Sequence, residues 1–142
     1  MTTDQKGAVA QAKIVARAVE LGIPVLWPLN DGLRYDLVFD VGTLVRVQCK
    51  WARRRGDAVV VPMRTCRRGA GGLVRTAYTS AEIDAVAAFV PELDECFYVP
   101  MAPFDGQTMV NLRLSRPRNN QRRGIHWAKD YEFGATLGAA GP

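Results

Sequence analysis

The segment RYDLVFDVGTLVRVQCKWARRR, residues 34–55, predicts the centre of the fold. Apolar and polar residues alternate on both sides of Val41 and Gly42, which is the pattern of two β-strands joined by a tight turn. The predicted strands cover residues 35–40 and 43–52. We therefore expect a β-hairpin in which three consecutive arginines follow the second strand.

Three polar residues of this apolar hairpin, Asp36, Gln48 and Lys50, are expected to lie close together. Side chains on a β-strand point alternately to the two faces of the sheet. On the second predicted strand, Gln48 and Lys50 therefore point away from Val47 and Cys49. If the strands pair around the predicted turn, Asp36 lies on the same side as Gln48 and Lys50. The pattern predicts that these three side chains converge on one face of the sheet.

A hard divalent cation suits this set of side chains. Magnesium prefers oxygen ligands, usually takes one or two protein carboxylates, and fills its remaining positions with water and substrate phosphate. Asp36 would supply the carboxylate, while the Gln48 side chain and the Cys49 backbone carbonyl would supply neutral oxygens. A metal there would lower the pKa of its bound water, and Lys50 would stabilise or help deprotonate that attacking water.

Simpler interpretations of the same residues are open. Asp36 can end a turn, or it can pair with Arg34 or Arg46. Gln48 and Lys50 can form the solvated face of a half-exposed strand.

Composition limits the class of protein. The 142 residues suit one domain, and the 48% hydrophobic content is that of a globular protein. No apolar run approaches the roughly 20 residues of a membrane span, and the amino terminus lacks a secretory pattern. The three cysteines, Cys49, Cys66 and Cys96, form no CxxC pair, which favours a reducing cytoplasm. Arginine supplies 15 of the 19 basic residues, against 14 acidic ones, and this balance favours a nucleic-acid partner.

Helices and strands alternate along the rest of the chain. We predict a helix over residues 3–21 with Thr3 as its N-cap. A second helix is predicted over residues 79–90, opened by a capping box of Thr79 and Glu82. Further strands are predicted at 24–29, 57–65, 96–101 and 107–114. A basic loop and short helix at 115–134 and a frayed tail at 135–142 would complete a single domain of residues 1–142. This order predicts an α+β protein with helices packed on a mixed central β-sheet.

The motif YDLV, followed about a dozen residues later by RVQCK, resembles that of the PD-(D/E)xK nuclease superfamily. It is most similar to the group I intron-associated homing endonuclease branch, in which Gln replaces an acidic residue to give QxK. Three flanking pairs of blocks also resemble this branch: KGAVAQAKIVA with GIPVLWPL, YTSAEIDAVAAF with FYVP, and RNNQ with IHWAKDYEFGATL. The resemblance covers most of the chain.

This resemblance implies a restriction-endonuclease-like core and magnesium-dependent cleavage of double-stranded DNA, with manganese as a substitute. Asp36 and Gln48 would be the metal ligands and Lys50 the catalytic lysine. The family usually has a Glu in its first helix where this chain has Gln11. Gln11 would reach the metal through water, and its neutral amide is expected to weaken metal binding.

Several basic segments are candidates for binding the DNA. Arg53, Arg54 and Arg55 follow the predicted catalytic lysine, and Arg67 and Arg68 lie in a Gly-rich turn. The segment RPRNNQRR adds phosphate-binding arginines and amides of the type that read adenine: Arg116, Arg118, Asn119, Asn120, Gln121, Arg122 and Arg123. Each segment can also be an ordinary solvated loop.

Cleavage of both strands needs two active sites, so the resemblance leads us to expect a homodimer or homotetramer. Three other functions are open, of which a basic RNA-associated protein is the least favoured. Because of Gln11, the chain can be a DNA-binding module with a nuclease fold and an impaired metal site. The same core also serves nucleases specific for DNA junctions.

Overall fold

The computed structural model of the chain describes residues 1–69, 71–115 and 124–137, with the backbone alone for 66–69 and 73–75. Three α-helices lie within these residues: α1 (Thr3–Glu20), α2 (Ala128–Tyr131) and α3 (Phe133–Thr136). The described strands are β1 (Val25–Leu26), β2 (Leu37–Asp40), β3 (Leu44–Trp51), β4 (Arg53–Arg55), β5 (Ala58–Pro62), β6 (Arg64–Gly69), β7 (Gly72–Ala77), β8 (Ala85–Val90), β9 (Glu95–Pro100) and β10 (Met109–Arg113).

A five-stranded sheet with the order β1-β2-β3-β8-β9 forms the centre of the molecule. Strands β3 and β8 are parallel, and the other neighbours in this sheet are antiparallel. The predicted mixed central sheet with helices is therefore confirmed. As expected, β2 and β3 form a hairpin, in which Asp40 pairs with Leu44 around the turn.

Helix α1 begins and ends where its sequence predicts, within one residue. Thr2 rather than Thr3 is the N-cap, because the Thr2 side chain accepts from the Gln5 N–H and the Gln5 side chain accepts from the Thr2 N–H. This reciprocal pair satisfies two backbone donors at the helix start. Gly22 follows the helix with a φ of 79°, a conformation that glycine adopts without steric cost. The helix buries Ala10, Ile14 and Ala18, which are spaced four residues apart.

The predicted helix over residues 79–90 is wrong. Thr79 and Glu82 do interact, since the Thr79 hydroxyl donates to the Glu82 carboxylate at 3.2 Å, but they form a turn that leads into β8. All six residues of β8 are buried. A parallel strand covered on both faces is apolar throughout, so it lacks the alternation that distinguishes a strand from a helix.

Two clusters of buried side chains cover opposite faces of β8. Ala87 and Phe89 pack in the cluster that includes α1. Val86 and Ala88 pack in the other cluster, together with residues of β5 and β10. Strands β10, β5 and β4 form a separate three-stranded sheet in that order, while β6 and β7 pair only with each other in a two-stranded sheet.

Helices α2 and α3 cover β9 near the end of the described chain. Phe133 and Leu137 are buried in the cluster that includes α1. Leu137, which lies in the segment 135–142 predicted as a frayed tail, is thus part of this cluster, whereas Ala135 is exposed. Among the described residues, no helix has the length and hydrophobicity to span a membrane.

Candidate active site

Strand pairing and one backbone hydrogen bond define where Asp36, Gln48 and Lys50 lie on the β2–β3 hairpin. Leu37 pairs with Val47, and the Asp36 N–H donates to the Val47 carbonyl at 2.9 Å. Val47 and Cys49 are buried toward α1. Gln48 and Lys50 alternate with them and are half-buried. Gln48 and Lys50 therefore face away from α1, as strand parity predicts, and Asp36 directly precedes Leu37 at the start of β2.

Asp36 is half-buried immediately before β2. Its Oδ2 accepts from the Cys49 backbone N–H at 2.9 Å, which fixes the carboxylate beside the strand that bears Gln48 and Lys50. Burial raises the pKa of this carboxyl above its usual value, while the Cys49 hydrogen bond and the Lys50 charge oppose that rise. A cation next to Asp36 would favour the ionised form.

Arg34 and Arg46, the alternative partners for Asp36, bind other carboxylates. Arg34 Nε lies 2.8 Å from Oε2 of Glu82. Arg46 contacts Asp84 through its backbone N–H at 2.7 Å and its Nε at 3.1 Å. Both ion pairs tie the hairpin to the turn that precedes β8.

Lys50 lies beside the buried aromatic ring of Tyr78. Its Nζ is 5.3 Å from the ring centroid, and its backbone pairs with Ala88 of β8. Gln48 pairs with Val86 in the same register. Strand β8, which runs parallel to β3, therefore supports both Gln48 and Lys50 from one side.

Gln11 of α1 faces the region of Asp36. Both residues line a cleft of about 250 Å³, together with Trp27, Asp31 and Tyr35. In the described part of the chain, no three His, Cys, Asp or Glu side chains are grouped so as to hold a metal ion. One carboxylate supplemented by amide and backbone oxygens nevertheless fits magnesium, which takes few protein ligands and retains water.

The predicted DNA-binding arginines lie in three different parts of the chain: on β4, on β6 and outside the described residues. Arg53, Arg54 and Arg55 form the exposed strand β4, which pairs with β5, so they belong to a sheet rather than a loop. Arg67 and Arg68 lie on β6 rather than in the predicted turn, in the part of that strand for which the backbone alone is described. The predicted contacts at 116–123, from Arg116 to Arg123, lie outside the described residues.

Tyr78 contacts Lys50, Arg34 lies next to Tyr78, and Glu82 lies next to Arg34; none of these three residues was predicted as a site residue. Arg34 lies outside both the predicted strand 35–40 and β2, so strand parity did not locate its side chain. Glu82 was assigned to a helix that does not exist. No sequence pattern indicates that Tyr78 contacts Lys50, because the two residues are far apart in the chain and meet only in the folded protein.

Comparisons with known proteins agree with this geometry. A family model described as PD-(D/E)XK endonuclease matches residues 1–134. The structure is similar to that of I-Ssp6803I, a bacterial homing endonuclease, with a TM-score of 0.74 and 30% sequence identity. That similarity covers 99% of this chain and 97% of the other. No curated protein sequence matches the chain significantly.

Proposed function

Because the chain belongs to the PD-(D/E)XK endonuclease family, we propose that it is a magnesium-dependent enzyme that hydrolyses phosphodiester bonds in double-stranded DNA. The observation that supports this proposal best is the hydrogen bond from the Cys49 N–H to Asp36, which fixes the carboxylate beside β3, the strand that bears Gln48 and Lys50. Asp36 also shares a cleft with Gln11 of α1.

Asp36, Gln48 and the Cys49 backbone carbonyl would hold the metal, with Gln11 reaching it through water. Bound magnesium would neutralise charge on the phosphodiester and acidify an attacking water, and manganese would substitute for it. Asp36 is suited to this role because its carboxylate is fixed by the Cys49 N–H and is half-buried, where a positive partner is favourable.

Lys50 would be the catalytic lysine. Its ammonium group would hold the attacking water near the phosphate and stabilise the negative charge that develops there. The pairing of Lys50 with Ala88 in the buried centre of the sheet supports this role, because a rigid strand limits how far the ammonium can move.

Basic segments around the site would bind the DNA backbone. Arg53, Arg54 and Arg55 are exposed on β4, which begins two residues after β3 ends. We assign phosphate contacts to them, to Arg67 and Arg68, and to the segment 116–123. Such contacts give binding that weakens as salt concentration rises.

We further propose a cytoplasmic homodimer or homotetramer. Two copies would supply the two active sites that duplex cleavage requires. Trp27 is 62% exposed and borders the cleft, and an exposed aromatic residue of this kind is typical of subunit interfaces. Cys49 and Cys96 are free and buried, as suits a reducing compartment.

Supercoiled plasmid incubated with magnesium or manganese tests the proposed reaction. We expect wild-type protein to cut, and Lys50→Ala to cut at least about 100-fold more slowly while still binding duplex DNA. A wild-type protein that binds duplex tightly and cuts under neither metal would contradict the enzymatic proposal. A plasmid with an extruded cruciform, included in parallel, distinguishes a junction-specific nuclease by preferential cutting of the cruciform.

Gln11→Glu tests the rival function of a DNA-binding module with an impaired metal site. A second carboxylate in the cleft is expected to lower the magnesium concentration needed for half-maximal cutting by roughly 10- to 100-fold. Gln5→Glu is the matched control, because it adds the same charge to α1 at its exposed capping box. If only Gln11→Glu cuts, the natural chain is the binding module. If both variants match wild type, Gln11 does not act on the metal.

A further inference from the structure

Tyr78 lies at the junction between β7 and the turn that leads to β8. It is 1% exposed, and its backbone N–H donates to the Met63 carbonyl at 3.0 Å. Its hydroxyl is buried and makes no hydrogen bond to any residue that the structure describes. A buried polar atom without a partner destabilises a fold, so the hydroxyl does not explain why a tyrosine suits this position.

The ring of Tyr78, in contrast, contacts two positively charged groups. Lys50 Nζ lies 5.3 Å from the ring centroid, and the Arg34 guanidinium carbon lies 4.9 Å from it. Both distances are within the range of a cation–π interaction, which strengthens when the groups are removed from water. The ring therefore attracts the ammonium group that the proposed reaction requires.

Arg34, which contacts the Tyr78 ring, forms an ion pair with Glu82. Arg34 Nε lies 2.8 Å from Glu82, and Glu82 in turn accepts from the Thr79 hydroxyl. The carboxylate offsets the guanidinium charge, so Arg34 can remain against the ring without expelling Lys50 by like-charge repulsion. With its backbone bonded to Met63 and its ring inside the core, Tyr78 has little freedom to move.

We propose that Tyr78 is a positioning residue for Lys50, in which the aromatic face holds the ammonium group beside Asp36 and the hydroxyl is dispensable. This inference rests on the proposed role of Lys50 in DNA cleavage. It assigns to Tyr78 an effect on turnover through the lysine, without contact between Tyr78 and the DNA.

Three variants separate the ring from the hydroxyl and from general packing. Tyr78→Phe keeps the ring, Tyr78→Leu removes it, and Phe97→Leu is the matched control. Phe97 is also 1% exposed and packs in the same buried cluster as Tyr78. The measurements are kcat and KM for cleavage of a linear duplex with magnesium, and the thermal unfolding midpoint of each protein.

We expect Tyr78→Phe to keep kcat within about threefold of wild type and to unfold at the same or a higher temperature, since it loses an unpaired buried hydroxyl. Tyr78→Leu and Phe97→Leu should both lower the unfolding midpoint. Tyr78→Leu alone should lower kcat, by roughly 10- to 100-fold with KM nearly unchanged. If Tyr78→Leu does not fold, Tyr78→Met takes its place, because methionine fills more of the volume without an aromatic face.

Two results would overturn the inference. One is equal kcat for Tyr78→Leu and Phe97→Leu, which would reduce Tyr78 to a core residue. The other is an equal loss of kcat in Tyr78→Phe and Tyr78→Leu, which would assign the effect to the hydroxyl. Lys50→Ala, assayed in parallel, separates the two proposals: if it cuts like wild type, the proposed role of the lysine fails, and the role of Tyr78 fails with it. If Lys50→Ala is inactive and either of the two results is found, only the inference about Tyr78 fails.

Discussion

Asp36 illustrates how single residues define this site. Its carboxylate is half-buried, raised in pKa by that burial, and bonded to a backbone N–H of the neighbouring strand. The nearby oxygen donors that we assign to the metal are neutral. A site with one carboxylate relies on substrate phosphate for further negative charge, so we expect metal and DNA to bind more tightly together than separately.

Asp84 provides a prediction at the residue scale. It accepts two side-chain bonds and one backbone bond from Arg46, and these interactions lower the pKa of Asp84. We expect Asp84→Asn to reduce the free energy of unfolding at pH 7 by about 1–2 kcal/mol, a modest value because the pair is partly exposed. Urea unfolding of both proteins measures this difference.

The difference should depend on pH. Because the folded-state pKa is lowered, the stabilisation by Asp84 is complete above the ordinary value of 3.8 and is lost as pH falls through the lowered pKa. Urea curves at pH 7, 5, 4 and 3 should therefore show the gap between wild type and Asp84→Asn closing below about pH 4. Asp94→Asn is the control, because its ion pair with Lys13 is exposed and contributes little. If the stability difference between wild type and Asp84→Asn stays constant down to pH 3, the ionised Asp84 carboxylate is not its cause.

Among the secondary-structure elements, the β2–β3 hairpin could be predicted because the residues that determine it are neighbours in the sequence. Alternation and a short turn define the strands, and parity then directs Gln48 and Lys50 away from the buried Val47 and Cys49. Strand β8 could not be predicted in the same way, because its continuous apolar run fits a buried helix equally well. Tyr78 was missed for a related reason, since its contact with Lys50 joins elements far apart in the chain. The expected place of Gln11 near the metal came from the family resemblance.

The β6–β7 hairpin gives a prediction at the element scale. It pairs only with itself, and Thr65 and Thr76 are opposite each other in its register. Replacing residues 66–75 with Asn-Gly should therefore retain a two-residue turn between paired strands. The change also removes Arg67, Arg68 and Arg75.

We expect the shortened protein to unfold within a few degrees of wild type and to bind duplex DNA more weakly. The slope of log binding constant against log salt should become shallower by roughly 0.9 for each lost phosphate contact. The full-length chain with all three arginines replaced by Gln is the control for hairpin shape. An unchanged salt slope in the shortened protein would exclude these arginines from the DNA interface.

At the scale of the whole molecule, the surface beside the cleft predicts self-association. Leu26, Trp27 and Leu29 are large apolar residues exposed on β1 and just after it, and Trp27 also lines the cleft. Exposed apolar patches of this kind mark interaction sites. We therefore expect Trp27→Arg to convert a dimer or tetramer into a monomer, as measured by size-exclusion chromatography with light scattering.

The same variant should nick plasmid DNA more than it linearises it, because paired active sites are lost. Leu44→Arg is the matched control, since Leu44 and Trp27 are each 62% exposed. A wild-type protein that is monomeric at the concentrations of the cleavage assay would contradict the proposed assembly. If Leu44→Arg dissociates the protein and Trp27→Arg does not, the subunit interface lies at the start of β3 rather than at Trp27.

The parallel pairing of β3 with β8 also has a consequence for refolding. The β2–β3 hairpin joins neighbouring segments and closes a short loop, whereas β8 must return after four intervening strands. Contacts between distant segments carry a larger loop-closure cost and form more slowly. We expect the bond between Asp36 and Cys49 to form early, and the contact between Lys50 and Tyr78 to form only when the chain closes around it. Catalytic competence should accordingly appear in the slowest phase of refolding, after the hairpin has regained its amide protection against hydrogen exchange.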